Sequence, residues 1–128
     1  MLKHNILIVE DEAIIAKDLQ VTLERLGYHV AGTTGSGEVA IEMARRHLPD
    51  LVLMDIVLKG QLDGIEAAAQ IREVLGIPAI YLTACADKAT IERAKLTEPL
   101  GYLLKPFEEW ELYAVVEAAL RHQGCCSH

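Results

Sequence analysis

The sequence predicts a doubly wound α/β sandwich built on a parallel sheet, and three observations carry that prediction. Short apolar runs rich in β-branched residues alternate with segments whose apolar positions recur at spacings of three and four. One run, Leu51-Val-Leu-Met, is apolar throughout, as in a strand covered by helices on both faces. The alternation is strict and the connections are short, which implies parallel strands joined by right-handed crossovers.

Asn5–Val9 is the first strand, stopped by Glu10, Asp11 and Glu12. From Glu12 to Leu26 the residues Ile15, Leu19, Thr22 or Leu23, and Leu26 form one helical stripe, and Gly27 supplies the stop. Tyr28–Thr33 reads as a weaker strand. Gly35-Ser36-Gly37 then turns the chain into a helix through Ala40, Met43, Ala44 and His47, ended by Pro49. Leu51–Asp55 is the third strand and closes on a carboxylate. Gly64–Leu75 is helical with Ala67, Ala68, Ile71 and Val74 inward; Gly76 closes it and Pro78–Leu82 is the fourth strand. Asp87–Leu96 is a short helix before Pro99, and Gly101–Leu104 is the fifth strand. Glu108 to about His122 makes the last helix, with Leu112, Val115, Val116 and Ala119 buried. The domain spans residues 1–122, leaving 123–128 as tail.

At 128 residues the chain holds one domain, since a domain takes roughly 100–200 residues, and no room is left for an output module. A composition of 52% hydrophobic and 24% charged residues supports a real core and excludes disorder. The net charge of −7 opposes direct contact with nucleic acid or an anionic membrane surface. The longest charge-free stretch, Val74 to Ala86, contains Pro78 and is shorter than the roughly 18 residues that span a bilayer. With no signal-peptide pattern and 3 cysteines that make no disulfide framework, the expected compartment is the cytoplasm.

In a sheet of this kind the site lies beyond the carboxyl ends of the strands. There the sequence places Glu10, Asp11 and Glu12 after the first strand, Asp55 at the end of the third, Thr83 after the fourth, and Lys105 and Pro106 after the fifth. Glu10, Asp11 and Asp55 brought close together repel one another, so the cluster either retains a proton or binds a cation. Oxygen-only ligands suit Mg²⁺, which bridges carboxylate to phosphate. Lys105 can then pair with a phosphoryl oxygen while the Thr83 hydroxyl donates to another.

These residues resemble the receiver domain of two-component response regulators, of the stand-alone chemotaxis type. The resemblance rests on Val-Glu-Asp-Glu at 9–12, Leu-Met-Asp at 53–55, Leu-Thr-Ala at 82–84 and Leu-Lys-Pro-Phe at 104–107, and runs from about residue 3 to 122. It implies a flavodoxin-like five-stranded sheet in the order 2-1-3-4-5. It further implies that Asp55 accepts a phosphoryl group from a phosphohistidine on a sensor histidine kinase. Glu10, Asp11, Asp55 and the backbone carbonyl of Val57 would hold Mg²⁺, and Lys105 would stabilise the phosphoryl oxygens. Thr83 and Tyr102 would form the switch, and the Lys105–Pro106 bond would be cis. The output would be a protein contact on the face of helix four, strand five and helix five, a homodimer among the options. Such a domain catalyses only its own phosphorylation and dephosphorylation.

The chain departs from the family in three places. Glu10 stands where Asp is common, and the loop 56–64 lacks the frequent Met-Pro and is one residue longer, with Gly60 able to absorb the extra turn. The resemblance implies that Val57 and Cys85 stand at positions flanking the route of the hydrolytic water; neither side chain orients water well, which predicts a long-lived signal. The alternatives are fewer and weaker. Asp11 alone could cap a helix. A haloacid-dehalogenase-like phosphatase would place its nucleophile in an Asp-x-Asp pattern after the first strand, where this chain has Glu-Asp-Glu, and a flavin-binding module would want a phosphate-cradling loop there. A receiver fragment of a hybrid kinase shares the chemistry. Cys125, Cys126 and His128 offer too few spaced ligands for zinc, and Glu108, Glu109, Glu111 and Glu117 read as a solvated face.

Overall fold

The computed structural model describes residues 3–58, 60–84 and 87–125. Ten elements alternate along the chain: β1 (Asn5–Val9), α1 (Ala13–Arg25), β2 (His29–Thr34), α2 (Gly37–His47), β3 (Leu51–Asp55), α3 (Gly64–Leu75), β4 (Ala79–Thr83), α4 (Lys88–Leu96), β5 (Gly101–Leu104) and α5 (Glu109–Cys125). The strands form one sheet in the order β2-β1-β3-β4-β5, every pair parallel. This is the flavodoxin-like order, with both faces covered by helices.

The period-two alternation of the strands divides the core. Ile6, Ile8, Leu51, Leu53, Ile80, Leu82 and Leu103 face α1 and α5, where they meet Leu19, Leu23, Leu112 and Val116. Leu7, Val9, Val52, Met54, Ala79 and Tyr81 face the other way, onto Ala40, Ala44, Ala67, Ala68, Ile71 and Ala94 of α2, α3 and α4. The alanines let those three helices approach the sheet closely. Asp63 caps α3 in a reciprocal box with Glu66, and Ser36 and Asp87 cap α2 and α4.

Several details depart from the periodicity. Val74 sits on the shoulder of the α3 stripe and is exposed, while Leu75 turns inward. His47 is exposed at the end of α2, whose C-cap is Leu48 in the left-handed region, one residue before Pro49. β4 begins at Ala79 because Pro78 has no N–H for the ladder, and it keeps Thr83 because the Thr83 carbonyl accepts from Lys105 N–H at 2.8 Å. α5 continues through Cys125, past the tail boundary expected at residue 123. Cys126 and His128 lie outside the described residues.

Candidate functional site

Two neighbouring strand ends, those of β1 and β3, supply the acids, and β5, on the far side of β4, supplies the base. β1 gives way to Glu10 and Asp11, β3 ends on Asp55, and β5 gives way to Lys105 beyond the end of β4. One oxygen each of Glu10, Asp11 and Asp55 lies within 4.8 Å of the others. A cleft of about 490 Å³ opens over them, lined by Asp11, Asp55, Val57, Thr83 and Lys105, with Glu12 and Ala84 completing the wall. The Lys105–Pro106 peptide is cis. Cys85 lies outside the described residues.

Lys105 joins the acids. Its Nζ donates to Glu10 Oε1 at 2.6 Å and to Asp55 Oδ2 at 3.2 Å. The other Asp55 oxygen accepts from Val57 N–H at 3.1 Å, and the other Glu10 oxygen accepts from Glu12 N–H at 3.1 Å. Asp11 caps nothing: the N-cap of α1 is Glu12, with no side-chain capping bond. The capping explanation for Asp11 therefore fails, and the residue faces the cleft.

Electrostatics separates the two buried acids. Burial pushes the Asp55 carboxyl up, the charge of Glu10 and a hydrogen bond with it push the same way, and Lys105 and Val57 N–H only partly offset them, so its pKa rises to about 6. Burial also pushes Glu10 up, yet its bonds to Lys105, to Glu12 N–H and to Asp55 outweigh that, and Glu10 ends below the ordinary carboxylate value. Burial lowers the Lys105 ammonium, but the two acids more than compensate and hold it above its usual value. Glu10 and Lys105 thus neutralise each other, and the aspartates are left short of positive charge.

That donor set fits a hard divalent cation such as Mg²⁺: three carboxylates, oxygen only, with a single ammonium beside them. Glu10, unlike Asp11 and Asp55, does not line the cleft. The aspartates are the acids that face a ligand there.

The expected set of Glu10, Asp11, Asp55, Val57, Thr83, Lys105 and Pro106 is brought to one edge. Tyr102 is not. It lies on β5, 37% exposed and outside the cleft wall, its ring centroid 6.0 Å from that of Tyr81. Sequence reasoning missed Gly64, where a Cβ would stand 1.8 Å from the Asp55 carbonyl oxygen; only glycine lets the start of α3 come so close beneath the site. The Asp63-Gly64 pair ahead of a helical stripe was the available signal.

Residues 6–117 match the response regulator receiver domain family. The chain is 40% identical over 117 residues to the transcriptional regulatory protein PdtaR of Mycobacterium tuberculosis, a match that covers 91% of this chain and 57% of that protein. It is 35% identical over 120 residues to the DNA-binding response regulator MtrA of Mycobacterium leprae, covering 94% and 52%. The chain spans about half the length of these curated relatives. Among solved structures, the signal receiver domain of a modulated diguanylate cyclase from Desulfovibrio desulfuricans superposes with a TM-score of 0.92 at 39% identity, covering 97% of this chain and 98% of that one. The receiver domain of a sensor histidine kinase from Pseudomonas aeruginosa, with a magnesium ion coordinated in its active-site cleft, superposes with a TM-score of 0.83 at 32% identity, covering 94% and 99%.

Proposed function

This chain belongs to the response regulator receiver domain family, and we propose that Asp55 is its phosphoacceptor, charged by the phosphohistidine of a sensor histidine kinase in two-component signalling. The observation that carries the reading is the Asp55 carboxylate at the floor of an open cleft, held between Lys105 Nζ at 3.2 Å and Val57 N–H at 3.1 Å. Each donor holds one of the two carboxylate oxygens. An Asp55 oxygen attacks phosphorus, the phosphorus–nitrogen bond of the phosphohistidine breaks, and the imidazole leaves with the bonding pair. Lys105 then transfers its pairing from the carboxylate to a phosphoryl oxygen, and Thr83 donates to another.

Mg²⁺, when bound, offsets the charge gathering on the phosphoryl oxygens. We assign Asp11, Asp55 and the Val57 backbone carbonyl to its binding, with Glu10 acting from behind through Lys105 or a water. The switch assigned to Thr83 and Tyr102 needs Tyr102 to leave its outward position. The exposed Leu96, Tyr102, Leu104 and Tyr113 support an output through a protein that docks on α4, β5 and α5. Val57 presents an apolar side chain to the cleft, which supports slow loss of the phosphoryl group; Val57→Asn is expected to shorten its lifetime and Val57→Leu to leave it unchanged.

The competing hydrolase reading is tested by turnover. Incubation with acetyl phosphate is expected to label each chain once, while p-nitrophenyl phosphate is left unhydrolysed. Multiple turnovers of that ester would favour a phosphatase using an aspartyl-phosphate intermediate.

A further inference from the structure

Tyr81 is a fully buried tyrosine on β4 whose hydroxyl is used by neither the cleft nor the phosphoryl chemistry. Its oxygen lies 2.6 Å from Thr97 Oγ1, at the C-cap of α4. Thr97 has one hydroxyl proton, and that proton goes to the Ala94 carbonyl at 2.7 Å. Tyr81 is therefore the donor, and a relay runs from Tyr81 through Thr97 to the last turn of α4.

Among the described residues little else ties this helix down. Ala94 is its one buried residue, and its polar ties are the exposed pairs Arg93–Asp63 at 3.1 Å and Arg72–Glu98 at 2.5 Å, the latter just past the C-cap. Ion pairs of that exposure contribute little. The same tyrosine also touches the proposed switch. Tyr81 pairs in register with Tyr102 and Thr83 with Leu104, so Tyr81, Thr83 and Tyr102 share one face of the sheet. The Tyr81 and Tyr102 rings lie 6.0 Å apart at 34°.

We infer that Tyr81 is a positioning residue of the switch: its hydroxyl pins the end of α4 while its ring backs Tyr102, so that α4 and the outward Tyr102 are held as one arrangement. This rests on the receiver reading of the site. Phosphorylation must then work against the pin, because the phosphoryl group favours the arrangement in which Tyr102 has left its place. By linkage, removing an interaction specific to the resting arrangement makes phosphorylation easier.

The test compares the wild type with Tyr81→Phe, which deletes one hydroxyl and keeps the ring, and with Thr97→Val and Thr97→Ser. Three readings are taken: amide hydrogen exchange across 88–97 without phosphodonor, the Tyr102 ring signals by NMR, and the rate of labelling by acetyl phosphate with Mg²⁺. Loss of one neutral hydrogen bond is expected to speed α4 exchange and labelling by roughly 3- to 10-fold. Tyr81→Phe and Thr97→Val should do so alike, with shifted Tyr102 signals and unchanged exchange in β1 and β3. Thr97→Ser, which keeps the hydroxyl, should behave as the wild type. Unchanged α4 exchange in Tyr81→Phe overturns the inference. So does faster exchange with unaltered Tyr102 signals and labelling rate, which would make Tyr81 a plain structural anchor. A wild type that takes no phosphoryl group fails the receiver reading itself, and the inference falls with it, whereas normal wild-type labelling with no variant effect sinks the inference alone.

Discussion

At Lys105 one ammonium holds two carboxylates, and the division is unequal: 2.6 Å to Glu10 and 3.2 Å to Asp55. The longer Glu10 side chain takes the tighter pair, which leaves Asp55 raised to about 6 by burial and by the neighbouring Glu10 charge. A carboxyl whose folded pKa lies above its unfolded value of 3.8 binds its proton more tightly when folded. The Asp55 contribution to metal-free stability is therefore fully present below about pH 4, is lost as pH rises from there to about 6 and stays lost above it, while the lowered Glu10 carboxyl contributes with the opposite sign. Asp55→Asn removes the Asp55 dependence and is expected to raise metal-free stability at pH 7 by about 1–3 kcal/mol, readable by urea titration. Added Mg²⁺ should stabilise the wild type far more than this variant. Lys105→Met has the opposite sign. It leaves Glu10 buried and unpaired, at a cost of about 3–5 kcal/mol in the same titration.

At the scale of elements, the start of α3 sets where Asp55 can stand. Gly64 N–H donates to the Ile56 carbonyl at 3.0 Å, and any side chain at 64 would strike the Asp55 carbonyl. Gly64→Ala is expected to lose roughly 1–3 kcal/mol and to slow labelling of Asp55 by acetyl phosphate; normal labelling would show that the start of α3 is free to shift. Asp63→Ala removes the α3 capping box, so it should cost about 1–2 kcal/mol and loosen the start of α3 in hydrogen exchange, while loss of the exposed pair with Arg93 leaves α4 exchange little changed. The strands and helices themselves were legible because apolar periodicity and Gly or Pro stops mark their ends. The errors fell where a pattern lacks direction. Val74 and Leu75 both suit the α3 stripe by composition, and only the packing of α3 shows which one turns inward. Gly60, the residue expected to absorb the turn, stands at a φ of 108°, a conformation that favours glycine.

Across the whole molecule, strand order converts scattered motifs into a site. Glu10, Asp11, Asp55, Thr83 and Lys105 could be singled out because each follows an apolar run, but their adjacency depends on β1 and β3 lying side by side with β4 and β5 beyond them. That order came from family resemblance, since alternation alone fixes no order. The pairing of Glu10 with Lys105 and the relay from Tyr81 to α4 were not legible, because both join residues far apart in sequence through side-chain geometry. The result is a sheet with its chemistry at one edge and its least anchored helix, α4, beside that edge, an arrangement suited to passing a local charge change to a surface.

Every step proposed for the switch depends on Asp55 as the acceptor. The direct measurement is the intact mass of the protein after incubation with acetyl phosphate, with and without Mg²⁺, beside Asp55→Asn. One Mg²⁺-dependent phosphoryl adduct on the wild type and none on the variant is the predicted result. An adduct of equal yield on Asp55→Asn, or none on the wild type under any condition, would contradict it.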